Sequence, residues 1–183
     1  MRVALQRRGY HGIGLAELLQ AANAPKGVLY HHFPGGKTEL AVVAIEDALE
    51  RVLSSLEQLL GASPDRTQGL GLWLDAACER LHNSGFQDGC PLAAVALESK
   101  PEDLQLRQAI ANAFSAIRTL LATSFVRAGL AEEESASLAA LVVATYEGAL
   151  IQARVAGNGE PMKQGTRLLL ALIRQRLPSR IEP

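Results

Sequence analysis

Aromatic residues, cysteines and long apolar runs are all scarce in this chain of 183 residues. Aromatic side chains account for only 4% of the sequence, which argues against a carbohydrate-binding β-sandwich. The two cysteines, Cys78 and Cys90, are too few for a disulfide framework or a metal cluster. The longest nearly apolar run, residues 138–151, contains Glu147 and is shorter than the roughly 20 residues that span a bilayer. We therefore expect no membrane partner, no metal site and reduced thiols.

The amino-terminal residues also lack the charged-then-apolar pattern of a signal peptide, because Arg2, Arg7 and Arg8 interrupt any apolar run. The sequence therefore predicts a cytoplasmic protein. Hydrophobic residues make up 48% of the chain, which is enough to bury a substantial core and excludes a wholly disordered protein. The length fits one domain of ordinary size, or a small module fused to a larger one.

Positive charge is concentrated near the amino terminus, although the whole chain has a formal net charge of -1. Residues 1–40 contain five basic and two acidic residues, and the remainder contains 13 basic and 17 acidic residues. Three of the four histidines, His11, His31 and His32, also lie in the basic part. A small basic end on a mildly acidic body suits a nucleic-acid contact at the amino terminus, whereas chance variation in composition would produce the same excess.

Helix-favouring residues dominate the whole chain, and no segment alternates apolar and polar residues as a half-buried strand would. Glycine, proline and asparagine divide the chain into short helices followed by long ones. The sequence therefore predicts an all-α fold. The expected helices cover residues 1–9, 15–22, 25–33, 37–60, 66–83, 91–99, 102–129, 132–156 and 161–177.

The second and third predicted helices are short and are separated by a tight turn at Asn23 and Ala24, which is the arrangement of a helix-turn-helix unit. Asparagine tolerates the left-handed conformation that such a turn often requires, and Pro25 can start the next helix because its missing N–H would be unpaired there. Within that helix, Leu29 and Phe33 are four residues apart and are expected to pack inward. The second helix of such a unit can enter the major groove of DNA.

The opposite face of this helix carries side chains that suit DNA. Lys26 can reach a base acceptor or a phosphate, Tyr30 can donate its hydroxyl to a phosphate, and Val28 can touch a thymine methyl. Gly27 allows two backbones to approach closely. The predicted DNA-binding residues are Lys26, Gly27, Val28, Tyr30, His31, His32 and, at the start of the next helix, Lys37. Spacing alone also allows Tyr30 and His31 to be ordinary surface residues of a small helical hairpin.

Several segments together resemble the DNA-binding domain of the TetR family of bacterial repressors. The resemblance covers residues 1 to about 45 and rests on Arg8-Gly9-Tyr10, Leu18, Ala21-Ala22, Lys26-Gly27, Leu29-Tyr30-His31-His32-Phe33 and Lys37. The features that resemble the LmrA/YxaF-like branch of that family are the start Pro25-Lys26-Gly27, the connector Phe33-Pro34-Gly35-Gly36-Lys37 and the segment GCPLAAVALE at residues 89–98. The chain also departs from the family: Gly14 replaces the usual Ser or Thr N-cap, Asn23 replaces the turn glycine, and the connector is one residue longer.

This resemblance implies a three-helix helix-turn-helix DNA-binding domain at residues 1–45 and a helical effector-binding and dimerisation domain at residues 46–183. It implies a DNA-binding transcriptional regulator. The regulator is expected to be a repressor that binds a pseudo-palindromic operator as a homodimer and is released by a small lipophilic or aromatic ligand. The first helix is shorter than in the family, which leaves an alternative: a small-molecule-binding dimer whose truncated amino-terminal unit no longer binds DNA.

Two further surfaces are predicted in the long helices. Residues 135–156 are apolar on more than one face, and small residues there permit close approach of another helix, so we expect a two-fold bundle with the last helix. A monomer whose last helices complete a single core is the alternative. The dimer-interface candidates are Leu138, Leu141, Val142, Gly148, Ala149, Ala153, Leu168, Leu169, Leu172 and Ile173. The candidates for lining an effector cavity, each also suited to an ordinary core, are Trp73, Cys78, Phe86, Cys90, Phe114, Phe125 and Tyr146.

No catalytic signature occurs in the sequence. Gly36-Lys37-Thr38 imitates the end of a phosphate-binding P-loop, but His31 occupies the position of the required upstream glycine and no strand is predicted before it. His31 and His32 are adjacent, so they point about 100° apart on a helix and cannot chelate a metal together. The motifs G-x-S-x-G, H-E-x-x-H and C-x-x-C do not occur. We therefore expect neither an enzyme nor a bound cofactor.

Overall fold

The computed structural model describes residues 1–63 and 65–178, and those residues form nine α-helices and no strand. The predicted all-α fold is therefore confirmed. The helices are α1 (Arg2–Arg8), α2 (Leu15–Ala21), α3 (Lys26–His32), α4 (Gly36–Ala62), α5 (Arg66–Asn83), α6 (Pro91–Glu98), α7 (Leu104–Arg127), α8 (Glu132–Ala156) and α9 (Glu160–Arg176).

Every helix end lies within two residues of the predicted one, and the differences have local causes. Helix α3 begins at Lys26 because Pro25 has extended backbone (φ −69°, ψ 150°) and acts as the N-cap. Helix α7 begins at Leu104 rather than two residues earlier. The carboxylate of Asp103 accepts a hydrogen bond (2.8 Å) from the backbone N–H of Lys100, which holds the preceding residues in a turn.

The described residues divide into two compact units, each built from two separate parts of the chain. The first unit consists of residues 1–50 and 88–114, and the second consists of residues 51–87 and the chain from Ser115 onward. Helix α6 and the first part of α7 thus belong with the three short amino-terminal helices. The predicted domains, residues 1–45 and residues 46–183, do not coincide with these two units, and their separate roles stay a prediction.

In the first unit, α1 packs on α6 and is joined by polar contacts to the segment that precedes α6. The backbone N–H of Gly89 donates to the carbonyl oxygen of Gln6 (3.1 Å), and Arg7 pairs with Asp88 (2.6 Å). The core of this unit includes the buried side chains of Leu5, Ile13, Leu18, Leu29, Ala41, Ile45, Leu92, Val95 and Leu106. Through Leu29, this core holds α3 from one side and leaves its other side in solvent.

In the second unit, α8 packs on α9, and α5 packs on both of them. Glycine permits the closest approaches. A Cβ on Gly165 of α9 would lie 3.4 Å from the methyl group of Thr145 in α8, and one on Gly69 of α5 would lie 2.6 Å from the carbonyl oxygen of Leu59 in α4. A side chain at Gly69 would therefore push α5 away from α4, since close-packed interiors have little room to give.

Helices α7 and α8 have the length and composition of membrane-spanning helices, each with a segment of mean hydropathy 1.4. A core helix of a soluble protein has the same properties, although only 33% of each segment is buried within the chain. In α8 the apolar residues are divided between a buried side, with Leu138 and Val142, and an exposed side, with Ile151 and Val155. The apolar residues of α8 that are not buried therefore form an exposed face of the second unit.

Candidate nucleic-acid interface

The turn between α2 and α3 has the conformation that the sequence predicts. Gly14 is the N-cap of α2, and at the other end Asn23 has a φ of 49°, in the left-handed region. The backbone N–H of Asn23 donates to the carbonyl oxygen of Gln20 (3.0 Å), and that of Ala24 donates to the carbonyl oxygen of Leu19 (2.9 Å). These bonds close the end of α2 directly before α3 begins. The predicted helix-turn-helix unit is therefore confirmed.

Helix α3 buries one face and exposes the other. Leu29 is 6% exposed, and Phe33, which follows the helix, is half-buried, as expected for the inward face. Val28 and Tyr30 are 44% and 46% exposed, so large side chains stand in solvent on both sides of α3. The other predicted contact residues of α3, also exposed, are Lys26, Gly27, His31 and His32. A surface of this composition suits base edges, thymine methyls and phosphates.

Gly27 lies in the first turn of α3, and none of the described residues of this chain requires a glycine there. Its backbone is helical, and no heavy atom beyond its immediate helical backbone lies within 4 Å of the position of a Cβ. Glycine in a helix costs about 0.5–1 kcal/mol relative to alanine. The open space beside Gly27 leaves room for the backbone of a second molecule to approach α3 closely.

The ring of Tyr30 packs beside the turn that leads from α3 to α4. Gly36 is buried with a φ of 66°, and a Cβ built on it would lie 3.4 Å from Cε1 of Tyr30. Glycine therefore serves both the left-handed turn and the space that the ring occupies. The N–H of Gly35 donates to Oε2 of Glu39 (2.7 Å) and fixes the start of α4. The ammonium of Lys26 lies 6.0 Å from the centre of the Tyr30 ring.

Lys37 lies in the first turn of α4 and is half-buried. Its Nζ lies 4.5 Å from the centre of the Tyr10 ring in a cation–π contact, and the hydroxyl of Tyr10 shares a hydrogen bond with Oγ1 of Thr38 (3.0 Å). Desolvation lowers the pKa of Lys37, and the negative charge of Glu98 opposes that shift. Sequence spacing does not predict these partners, because Tyr10 and Glu98 lie 27 and 61 residues away in the chain.

Three of the five basic residues in the amino-terminal segment form ion pairs with carboxylates of the same unit. The pairs are Arg2–Asp47 (3.4 Å), Arg7–Asp88 (2.6 Å) and Arg8–Glu17. Among the described residues, no carboxylate lies within 4.0 Å of the ammonium of Lys26. The first unit as a whole contains seven basic and nine acidic residues. The first unit therefore offers no overall positive charge, and its predicted contact with DNA would depend on where individual basic side chains such as Lys26 stand.

The candidates for lining an effector cavity are divided between the two units. Cys90 and Phe114 belong to the first unit, and the other five candidates belong to the second. In the second unit, the rings of Trp73 and Tyr146 lie 4.8 Å apart between centres. The indole N–H of Trp73 donates to Oγ of Ser55 (3.0 Å), so its single polar atom is satisfied within the core.

The remaining candidates of the second unit lie at separate places. Cys78 packs against the turn between α8 and α9, where a Cβ on Gly159 would lie 2.9 Å from its Sγ, and burial raises the pKa of the Cys78 thiol. Phe86 has a φ of 62° and packs edge-to-face on His82 (5.5 Å between centres), while Phe125 is fully buried. The role of all seven candidates in ligand binding stays a prediction.

The dimer-interface candidates differ widely in exposure. Leu141 and Leu168 are 40% and 70% exposed, whereas Gly148 and Leu172 are half-buried. The candidates buried inside the chain are Leu138, Val142, Ala149, Ala153, Leu169 and Ile173. These six are covered within their own chain, and the role of all ten candidates in pairing stays a prediction.

An open groove of about 390 Å³ lies between α8 and α9 in the second unit. Small and polar residues line it, among them Gly148, Gln152 and Gly165. Beside these on α8, Ile151 and Val155 are 45% and 84% exposed. The exposed apolar face of α8 therefore borders a groove with a floor of small residues, which a second helix can approach closely.

Two family models match the chain. Residues 2–44 match the model of bacterial regulatory proteins of the tetR family, and residues 67–167 match the C-terminal domain of LmrA/YxaF-like transcriptional regulators. A helix-turn-helix unit with an exposed second helix, joined to such a domain, defines a DNA-binding transcriptional regulator. The chain belongs to the TetR family, and its second matched region places it with the LmrA/YxaF-like regulators.

Individual relatives span nearly the whole chain. The HTH-type transcriptional regulator Rv0196 of Mycobacterium tuberculosis is 33% identical over 181 residues, which cover 96% of this chain and 91% of the relative. The regulatory protein TetR from Rhodobacter sphaeroides superposes with a TM-score of 0.81 at 26% identity over 92% of both chains. A cysteine mutant of the TetR-family regulator CifR, solved with a 26-bp operator DNA, superposes with a TM-score of 0.76 at 24% identity over 97% of this chain and 96% of that one. The matched proteins are transcriptional regulators rather than enzymes.

Proposed function

We propose that this regulator is a homodimeric repressor that binds a pseudo-palindromic operator with α3 and leaves it when a small lipophilic or aromatic ligand binds. The observation that carries the proposal is the free outer face of α3. On that face Lys26, Val28 and Tyr30 stand in solvent around the open backbone of Gly27. Leu29 anchors the opposite face in the core, so the exposed residues are available to the major groove.

Each contact residue has its own task in this proposal. Val28 touches a thymine methyl, and Lys26 reaches a base acceptor or a phosphate. Tyr30, whose ring packs beside Gly36, donates its hydroxyl to a phosphate oxygen. Lys37 meets the phosphates that flank the groove, and Gly27 admits the DNA backbone. The two histidines that end α3, His31 and His32, are exposed at the edge of the same surface.

Pairing of two copies gives this surface its specificity. A two-fold dimer presents two α3 helices to half-sites about 34–36 Å apart, which is one turn of the duplex. The support for pairing is the exposed apolar face of Ile151, Val155 and Leu168 beside the α8–α9 groove, which a second copy would cover. CifR, which has the same fold, was solved on operator DNA.

The proposed ligand binds in the second unit against the ring pair of Trp73 and Tyr146. These rings are the two candidates that contact each other directly, and their apolar surroundings favour a lipophilic or aromatic molecule. Release follows if the ligand binds more tightly to a conformation in which the two α3 helices no longer match the operator. Because the proposed partner is chromosomal DNA, we infer a cytoplasmic location.

Selection of bound sites from a random 30-bp library, followed by fluorescence anisotropy, tests this function. We expect a two-fold symmetric site bound at least about a thousandfold more tightly than unrelated DNA. Val28→Ala should relax the preference at one base pair per half-site. Val43→Ala is its matched control, because Val43 of α4 is also 44% exposed and is not a predicted contact. Equally weak binding to all sequences would contradict the proposed function.

A further inference from the structure

A carboxylate on α6 reaches the turn that follows α1. The backbone N–H of His11 donates to Oε2 of Glu98 (2.8 Å). Gly9, which ends α1, is buried with φ 68° and ψ −169°, and a Cβ on it would overlap Oε1 of the same carboxylate. Glycine is therefore required here both by the backbone conformation and by the carboxylate that lies against it. Both oxygens of Glu98 thus face residues 9–11.

The same turn carries the aromatic ring on which Lys37 rests. Tyr10 lies between Gly9 and His11 in the chain, and its ring centre is 4.5 Å from Nζ of Lys37. Its hydroxyl is bonded to Oγ1 of Thr38, the next residue of α4 (3.0 Å). A displacement of this turn would therefore displace the support beneath the lysine.

The other acidic residues around α1 form ion pairs with arginines, whereas Glu98 does not. Asp47, Asp88 and Glu17 each form an ion pair with an arginine of α1. Glu98 has no cation within 4.0 Å in the described part of the chain. Its charge acts instead on Lys37 at longer range, where it favours the ammonium form against desolvation.

We propose that Glu98 is a positioning residue for DNA binding, which holds the turn after α1 in place and offsets the charge of Lys37 while no DNA is bound. This inference rests on the proposed function of Lys37 as a phosphate contact. The bond to His11 orders the support of Lys37, which favours DNA binding. The negative charge weakens the attraction of Lys37 for phosphate, because a phosphate at the start of α4 competes with Glu98. The two effects have opposite signs and can be separated by substitution.

Titrations of a random-sequence 30-bp duplex measure these effects, since attraction to phosphate does not depend on base sequence. Glu98→Gln removes the charge but keeps an oxygen that can accept the N–H of His11. We expect tighter binding at 50 mM salt and a slope of log affinity against log salt that is steeper by about 0.9, as for one added phosphate contact. The added loss of affinity between 50 and 200 mM salt is then about three- to fourfold. Glu98→Ala removes the acceptor as well and should bind more weakly than Glu98→Gln at every salt concentration.

Glu102→Gln is the matched control, because it removes one exposed carboxylate from the same unit that does not act on the pKa of Lys37. It should leave the salt slope close to that of the wild type. Combining Glu98→Gln with Lys37→Met should abolish the added slope. Equal slopes for Glu98→Gln and Glu102→Gln, or an added slope that survives without Lys37, would overturn the proposal.

A measurement without DNA separates this inference from the proposed function. In isotope-labelled protein, Glu98→Ala should speed the hydrogen exchange of the His11 amide by about tenfold or more, whereas Glu98→Gln should leave it protected. Glu98→Gln should also lower the pKa of Lys37 further, as read by NMR titration. Unchanged exchange at His11 in Glu98→Ala would overturn the positioning role even in a protein that binds its operator normally. A wild-type protein that selects no operator would overturn the proposed function, while exchange at His11 and the pKa of Lys37 still decide the role of Glu98.

Discussion

The hydroxyl groups of Tyr10 and Thr38 share a hydrogen bond of 3.0 Å that joins the turn after α1 to the first turn of α4. Tyr10→Phe should keep the ring beneath Lys37 and lose only this bond. We expect the free energy of unfolding, measured with urea, to fall by about 0.5–1.5 kcal/mol. In a Thr38→Val background the same change should cost clearly less, because the bond is already absent. An equal cost in both backgrounds would show that the bond contributes nothing.

Lys37 gives the stability of the protein a defined dependence on pH. Burial lowers its pKa in the folded state below the ordinary value of 10.5, which the unfolded chain keeps. Between the lowered and the ordinary value the unfolded state binds more protons, so the contribution of Lys37 to the free energy of unfolding rises with pH. Paired urea series should therefore show the wild type gaining stability relative to Lys37→Met as the pH rises towards 10.5. A relative loss over that range would mean that folding raises the pKa of this lysine.

Gly27→Ala should change stability and DNA binding in opposite directions. The added methyl meets open space, so the helix should gain about 0.5–1 kcal/mol in the free energy of unfolding. The same methyl would hold the DNA backbone away from α3, and we expect operator binding to weaken by about 1–3 kcal/mol. Gly61→Ala, at an equally open position in α4, is the control and should leave operator affinity unchanged. Unaltered operator affinity in Gly27→Ala would remove Gly27 from the set of contacts.

Leu168→Glu should convert the proposed dimer into a monomer. Leu168 is 70% exposed and follows Gln164 and Gly165 of the groove by about one turn of α9, so a second copy would bury an unpaired carboxylate there. Sedimentation equilibrium should show half the mass, and operator affinity should fall with it. Ala136→Glu is the control, because Ala136 is exposed on α8 about 120° around the helix from Gly148. A Leu168→Glu protein that stays dimeric would place the interface elsewhere.

Trp73 should report directly on the proposed ligand. It is the single tryptophan of the chain, is 3% exposed and contacts the ring of Tyr146. A lipophilic compound that binds against these rings should change the Trp73 emission and raise the melting temperature. Tyr146→Leu should weaken binding of that compound by about two- to tenfold through loss of the aromatic contact. A compound that releases the operator without changing the Trp73 emission would place the cavity at a different part of the molecule.

The backbone of the DNA-binding unit follows from interactions between residues close in sequence, and sequence reasoning predicts it well. The left-handed conformation of Asn23 and the inward position of Leu29 on α3 both follow from preferences and spacings within about four positions. The ends of α5 and α8 are also predicted to the residue. In each case the determining information is a local conformational preference or a helical period.

The partners of charged groups and the choice of buried face are not local, and sequence reasoning misses them. Glu98 meets the N–H of His11 across 87 residues, and Arg7 meets Asp88 across 81. Glu98 lies at the end of the segment that carries the branch resemblance, but nothing in that segment indicates its partner. Helix α8 is apolar on several faces, so periodicity cannot decide which of them is buried within the chain. The burial of Leu138, for example, is visible only in the structure.

The ion pairs that Arg2, Arg7 and Arg8 form with carboxylates should weaken the binding of this regulator to non-specific DNA. Residence on unrelated DNA grows with the number of counterions that a protein displaces, and arginines already matched by carboxylates displace few. We therefore expect the fraction of the protein that is bound to non-specific DNA to stay small, although a chromosome offers roughly a million or more competing sites.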